Sequence, residues 1–249
     1  MMRSWLLIAL CLGLAAGALA QDPLASSYNQ GNEQYRQGQY QAAREQYLQV
    51  VEAGGHDPQV YYNLGNACFK AGHLGEAVLW YERALRLDPR DVDTRANLRF
   101  VRQLMRDKVS EPTGVGQWLA DLYFFPTLNE LCLGFSLFFL GACALGQWQW
   151  WQRSWGQWWR LGLLIASSCL ALGTGVFLGA RIYGQSQAQV VVLAAEATAH
   201  SAPDPNQTAV FVVHEGTSLL LARQEGDWLL VRLPTGLGGW LPASAVGVL

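Results

Sequence analysis

Two uncharged stretches constrain this chain more than anything else in it. No Asp, Glu, Lys or Arg lies between Glu130 and Arg153, and none lies between Arg160 and Arg181. Each stretch offers about 20 apolar residues in a row, the length at which a helix crosses the hydrocarbon of a bilayer. Burying both inside a soluble protein would need a larger core than a 249-residue chain supplies. The expectation is a transmembrane hairpin with helices at 128–151 and 161–182 and a bend at 152–160. The region holds Trp148, Trp150, Trp151, Trp155, Trp158 and Trp159, more than half of the 11 Trp. Indole rings gather at membrane surfaces, where the flat ring sits among headgroups and the N–H stays wet. The parts before and after the hairpin then lie on the same side of the membrane.

The first 20 residues supply a side. Arg3, an apolar core from Trp5 to Leu14 and the closing Ala18-Leu19-Ala20 form the pattern of a secretory signal peptide. An exported leader puts the chain from Gln21 outside, and the two spans return the C-terminal part outside as well. Both soluble parts are expected on the periplasmic face of a bacterial inner (cytoplasmic) membrane, with Arg153 and Arg160 on the inner bend. A net charge of −2 with 14% charged residues gives no basic field for nucleic acid. Of five cysteines only Cys68 falls in a water-facing part, so disulfides and Cys-based metal sites are not expected.

Between the leader and the hairpin the chain repeats itself. YNQGNEQYRQGQYQAAREQYLQVV from Tyr28 aligns on YNLGNACFKAGHLGEAVLWYERAL from Tyr62, one 34-residue period later. In the second copy Tyr61, Leu64, Gly65, Ala67, Gly72, Ala77, Tyr81, Ala84 and Pro89 stand at small and large packing positions. The first keeps Gly31, Tyr35, Gly38, Tyr40, Ala43 and Tyr47. These segments resemble tetratricopeptide repeats, at about 24–57 and 58–91 within a domain of 21–110. A capping helix is expected at 92–107, where Asn97-Leu98 is in register with Asn63-Leu64. The resemblance implies a concave groove lined by the first helix of each repeat, holding an extended or helical peptide. Carried over by register, it is lined by Tyr28, Asn32, Tyr35 and Arg36, then Tyr62, Asn66, Phe69 and Lys70.

Residues 111–127 read as a linker followed by an interfacial helix that aligns Trp118, Leu119, Leu122 and Phe125. After the hairpin, 188–249 changes to short β-rich runs between Gly, Pro and Asp turns, which predicts a small closed barrel of about five strands. Gly226-Asp227-Trp228 followed by Gly239-Trp240-Leu241-Pro242 resembles bacterial SH3 domains, with Trp240 expected where the last strand meets a loop. That resemblance implies a ligand surface at Trp228, Arg232 and Trp240.

The fold class expected is therefore multidomain: all-α tetratricopeptide-repeat helices, a two-helix transmembrane hairpin, then a small all-β SH3-like barrel. In this order the parts resemble the BatE family of aerotolerance-associated membrane proteins. The resemblance implies a scaffold working in a Bat-type complex with von Willebrand factor A domain membrane proteins and a MoxR-type ATPase. No Ser/His/Asp set, Cys/His pair, phosphate loop or metal spacing can be quoted from the chain. The expected function is a non-enzymatic inner-membrane adaptor that needs no cofactor and no metal. The alternative is a sensor or anchor that binds cell-wall peptidoglycan peptide. No residue connects the chain to oxygen tolerance.

Overall fold

The computed structural model describes residues 23–107, 114–152 and 158–249. The leader, linker residues 111–113 and Arg153 with Trp155 of the bend lie outside the described residues.

Among the described residues the N-terminal part has five helices: α1 (Pro23–Arg36), α2 (Tyr40–Glu52), α3 (Pro58–Ala71), α4 (Leu74–Leu87) and α5 (Val92–Leu104). Local chemistry sets their ends. Asp57 accepts the Gln59 amide at 2.7 Å with Pro58 in the first turn of α3, and Gly72, at φ +90°, turns the chain off its C-terminus. Asp91 caps α5 in the same way through the Asp93 amide at 3.0 Å. Within each repeat a glycine lets an aromatic ring lie flat on the partner helix. A Cβ on Gly31 would sit 2.7 Å from the Tyr47 ring, and one on Gly65 would sit 2.6 Å from the Tyr81 ring. Thr94, Leu98 and Val101 of α5 are buried against the second repeat.

Helix α6 (Val115–Phe124) leads to two long helices, α7 (Leu128–Gln152) and α8 (Trp158–Ser186). Thr127 and Glu130 open α7 reciprocally: Thr127 Oγ1 accepts the Glu130 amide at 3.3 Å, and Glu130 Oε2 accepts the Thr127 amide at 3.0 Å. Leu128–Trp151 and Trp158–Ser186, with mean hydropathies of 1.7 and 2.0, are long and apolar enough to cross a membrane. They pack side by side, joined by the Ser167 hydroxyl donating to Phe138 O at 2.8 Å. Trp158, Trp159 and Arg160, expected in the bend, are already helical in α8.

The C-terminal part is one antiparallel sheet of β1 (Gln189–Val192), β2 (Glu196–His200), β3 (Ala209–His214), β4 (Ser218–Glu225), β5 (Trp228–Arg232), β6 (Gly238–Pro242) and β7 (Val246–Val248). Their order is β3-β2-β6-β5-β4-β1-β7. Seven strands stand where about five were expected, and the ladder ends at β3 and β7 instead of closing by pairing them. The β7 end is shielded differently: it lies against α4.

That contact ties the two parts together. Val190 and Val192 face the core of the sheet, while Val191, on the opposite side of the same strand, joins the helical core. Helix α4 therefore packs on two sides, and all of Ala77, Val78, Leu79, Trp80 and Tyr81 are buried. Two glycines permit the approach. A Cβ on Gly75 would lie 2.6 Å from Val192 O, and one on Gly247 would lie 2.6 Å from a Leu79 methyl.

Candidate functional site

The first helices of the repeats, α1, α3 and α5, are linked by a polar ladder that recurs with the sequence period. Tyr47 OH donates to Asn32 Oδ1 at 2.7 Å, and Asn63 Nδ2 donates to Tyr28 OH at 2.9 Å and to Asn32 Oδ1 at 3.3 Å. One repeat later Tyr81 OH donates to Asn66 Oδ1 at 2.6 Å, and Asn97 Nδ2 donates to Asn66 Oδ1 at 2.9 Å and to Tyr62 OH at 3.5 Å. Burial pushes the Tyr47 and Tyr81 phenols above their usual range, so both stay protonated and act as donors. Four of the expected groove residues are thus held in two networks one period apart, Tyr28 with Asn32 and Tyr62 with Asn66. The carbonyl oxygen of each asparagine is occupied from two sides, which leaves the pair to fix the spacing of the helices.

The other four lie at the open side of the same face. Tyr35 is half-buried against the Tyr40 ring, 5.2 Å between centroids, and Arg36 is exposed and paired with Glu33 at 2.5 Å. Phe69 meets Phe100 of α5 edge-on at 5.8 Å, and the Lys70 ammonium stands 5.9 Å from the Phe69 ring. Phe100 and Leu104 are more than half exposed. Phe100 was missed in the sequence, although a third step of the period from Asn32 and Asn66 lands on it. The open part of this face is aromatic and carries cations, a composition suited to an apolar side chain flanked by negative charge.

The β domain leaves this face alone. Its polar contacts run to α4 and to the chain that follows α5. Glu215 Oε1 accepts the Gly75 amide at 2.7 Å, and Arg83 donates to Val248 O at 2.5 Å. Glu82 accepts from both Arg102 and Ser218. Asp107 accepts from the His214 amide at 2.8 Å, His214 Nδ1 at 2.9 Å and Thr217 Oγ1 at 2.8 Å. Burial opposes its charge, but the hydrogen bonds from His214 and Thr217 outweigh it and hold the Asp107 carboxyl below the usual range.

On the sheet, Leu229 and Val231 point into the core, so Trp228, Leu230 and Arg232 share the other face of β5, with Trp240 paired to Leu230 across the ladder. Trp228 and Arg232, four residues apart, are separated by about 13 Å along the strand. Arg232 is exposed, and Trp228 is half-buried with its ring edge-on to His200 at 6.0 Å. Trp240 is only 6% exposed, under the Arg223 guanidinium at 5.3 Å. It sits within β6, with β7 still to follow, and its ring does not stand free on the surface expected to bind a ligand. A bulge between Leu221 and Arg223 keeps Arg223 on that outer face.

Among the described residues no group of three or more His, Cys, Asp or Glu is placed to hold a metal ion. Cys68 is buried, and burial pushes its thiol far above the usual range, beside the Glu76 carboxylate that Arg44 grips at 2.7 and 2.8 Å.

Residues 28–92 match the family model described as tetratricopeptide repeat. Among solved structures, the first tetratricopeptide repeat of Spaghetti (RPAP3) bound to the HSP90 peptide SRMEEVD is similar at 21% identity, over 34% of this chain and 94% of that one, with a TM-score of 0.20. No curated protein matches. Repeats of this kind serve as protein-binding scaffolds, presenting a continuous surface built from stacked helices.

Proposed function

We propose that this chain is a non-enzymatic adaptor of a bacterial inner membrane, anchored by α7 and α8 as a transmembrane hairpin, with its repeats and its β domain in the periplasm. The β domain is read as SH3-like and the whole as a BatE-type component whose partners include von Willebrand factor A domain membrane proteins. The observation that carries this reading is the division of labour in the repeats. Helix α4 is covered by the sheet, while Lys70, Phe100 and Leu104 on the first-helix face are exposed and the half-buried Phe69 ring meets Phe100 edge-on. Repeats that existed only to pack on the sheet would have no need of exposed apolar side chains on the other side. Holding both domains in one unit also gives two binding surfaces a high effective concentration for a single partner complex.

A photo-crosslinking residue at position 100, in the full chain in native membranes, tests this. A crosslinked von Willebrand factor A domain protein, lost on Phe69→Ala, is the expected result. Crosslinks to unrelated proteins alone overturn the choice of partner. Alkaline phosphatase fused after Leu249 tests the side: inactivity there, with a cytoplasmic reporter active at the same site, removes the periplasmic placement.

The second reading, a binder of cell-wall peptide, draws on Trp228 packed edge-on to His200 with Arg232 on the same sheet face. Pull-down of the full chain on purified wall sacculi, lost in Trp228→Ala, favours it over the adaptor.

A further inference from the structure

Three short contacts fix where α6 ends. Arg181, near the end of α8 and 3% exposed, donates to Tyr123 O at 2.6 Å and lies against the Tyr123 and Phe124 rings at 5.2 and 5.1 Å. From the repeat domain, in the turn between α4 and α5, Arg90 donates to Phe125 O at 2.9 Å and to Glu130 Oε2 at 2.5 Å. Its guanidinium stands 4.5 Å from the Phe125 ring. Two cations thus hold the carbonyl end of α6, as the helix dipole favours. One comes from a long apolar helix and the other from the repeats.

The second contact places the tip of the repeat domain at the first turn of α7. Leu87 and Val92 flank Arg90, and chain length alone keeps their Cα atoms within about 11 Å and about 7 Å of it. Leu87 is 50% exposed, Val92 67% and Phe125 62%, and Trp118, Leu119 and Leu122 of α6 are exposed too. A lone exposed Leu or Val is ordinary in a soluble domain. These two border a turn bolted to the start of a 24-residue apolar span, next to another apolar helix with its hydrophobic side uncovered.

We infer that the turn between α4 and α5 rests on the lipid surface, with Leu87 and Val92 entering the headgroup layer beside Phe125 and α6. The repeats then lie against the membrane in a fixed attitude instead of hanging from a linker. This rests on the reading of α7 and α8 as membrane spans. Around the turn Asp88, Asp91, Asp93 and Glu130 face Arg86, Arg90 and Arg95, and Arg95 donates to Arg90 O at 3.3 Å. With its charges nearly balanced, the turn approaches the headgroups through its exposed apolar side chains.

The test places p-benzoylphenylalanine at position 87, 92, 133 or 237 of the full chain in nanodiscs of zwitterionic phospholipid, with lipid adducts read by mass spectrometry after irradiation. Position 133 lies within α7 and position 237 in the β5–β6 loop. Adducts at 87, 92 and 133 but not at 237 are expected. Arg90→Ala then abolishes the adduct at 92 and leaves that at 133. Adducts at 133 with none at 87 or 92 overturn the inference while the spans stand. So does a crosslink from 92 to protein, which would mean a second copy or another chain covers the turn. No adduct at 133 removes the spans and the inference with them.

Discussion

Replacing Asp107 with Ala removes the acceptor on which the junction between the helical and β domains converges. Three hydrogen bonds end on this carboxylate, and each bond to a charged group contributes about 1.5–3 kcal/mol net. The sum overstates the loss for two reasons. Thr217 Oγ1 also donates to His214 O at 2.8 Å, and the His214 ring, 17% exposed, can turn to water. The His214 amide has no such substitute. The expected cost is therefore about 2–3 kcal/mol, which corresponds to a roughly 30- to 150-fold rise in the population with the junction open. Native-state hydrogen exchange on the full chain reads this directly, because amide exchange follows local opening. Peptides covering 212–219 and 74–83 are expected to exchange faster by about that factor, while those from α1 and α2 keep the wild-type rate. Asp107→Asn keeps one acceptor and loses the charge, so it falls between. Unchanged exchange at 212–219 in Asp107→Ala would refute the account of the junction, and equal acceleration in α1 would show that Asp107 supports the whole fold.

Gly65→Ala drives a methyl into the Tyr81 ring, at a cost of about 1–3 kcal/mol for overpacking less about 1 kcal/mol of gained helix propensity, and denaturant melting is expected to show net destabilisation. Phe100→Ala, at a half-exposed position, is expected to abolish partner crosslinking from a photo-reactive residue placed at position 104 instead, while leaving the melting midpoint nearly unchanged. Because the Asp107 carboxyl is held low in the folded protein, its contribution is complete above its unfolded value of about 4 and is lost as pH falls below that; protection at 212–219, corrected for the intrinsic exchange rate at each pH, should fall there in wild type but not in Asp107→Ala. Cys68, buried with its thiol kept protonated, is expected to resist iodoacetamide at pH 8 until denaturant is added, as peptide mass mapping would show.

The helical repeats were legible because their signals are local and periodic. A 34-residue step, glycines opposite aromatic rings and Asp or Gly at helix ends are each decided within a few turns of chain. The long apolar helices were legible for the same reason, since length and lack of charge are properties of one segment. The polar ladder was legible in its period but not in its bonding. Register put Asn32 and Asn66 one step apart on successive first helices, yet their occupation by Tyr47, Tyr81, Asn63 and Asn97 depends on the distance between helices. The sheet was harder still. Its strands are short, and pairing between β2 and β6, or β1 and β7, joins residues far apart along the chain.

By itself, then, the sequence determined the kinds of element and their order: repeats, a capping helix, two apolar helices and a β-rich end. The tertiary structure decided the meeting of α4 with β1 and β7. One side of β1 buries Val191 in the helical core and the other buries Val190 and Val192 in the sheet. The run from Ala77 to Tyr81 hinted that α4 is covered on more than one side, and Gly75 that something comes close, but neither says what. The same holds for Asp107 with His214 and for Arg90 with Glu130. Hydrophobic period and capping act through the backbone of a single segment, whereas a docking contact depends on the shape of two finished surfaces, and no local pattern encodes a partner 107 residues away.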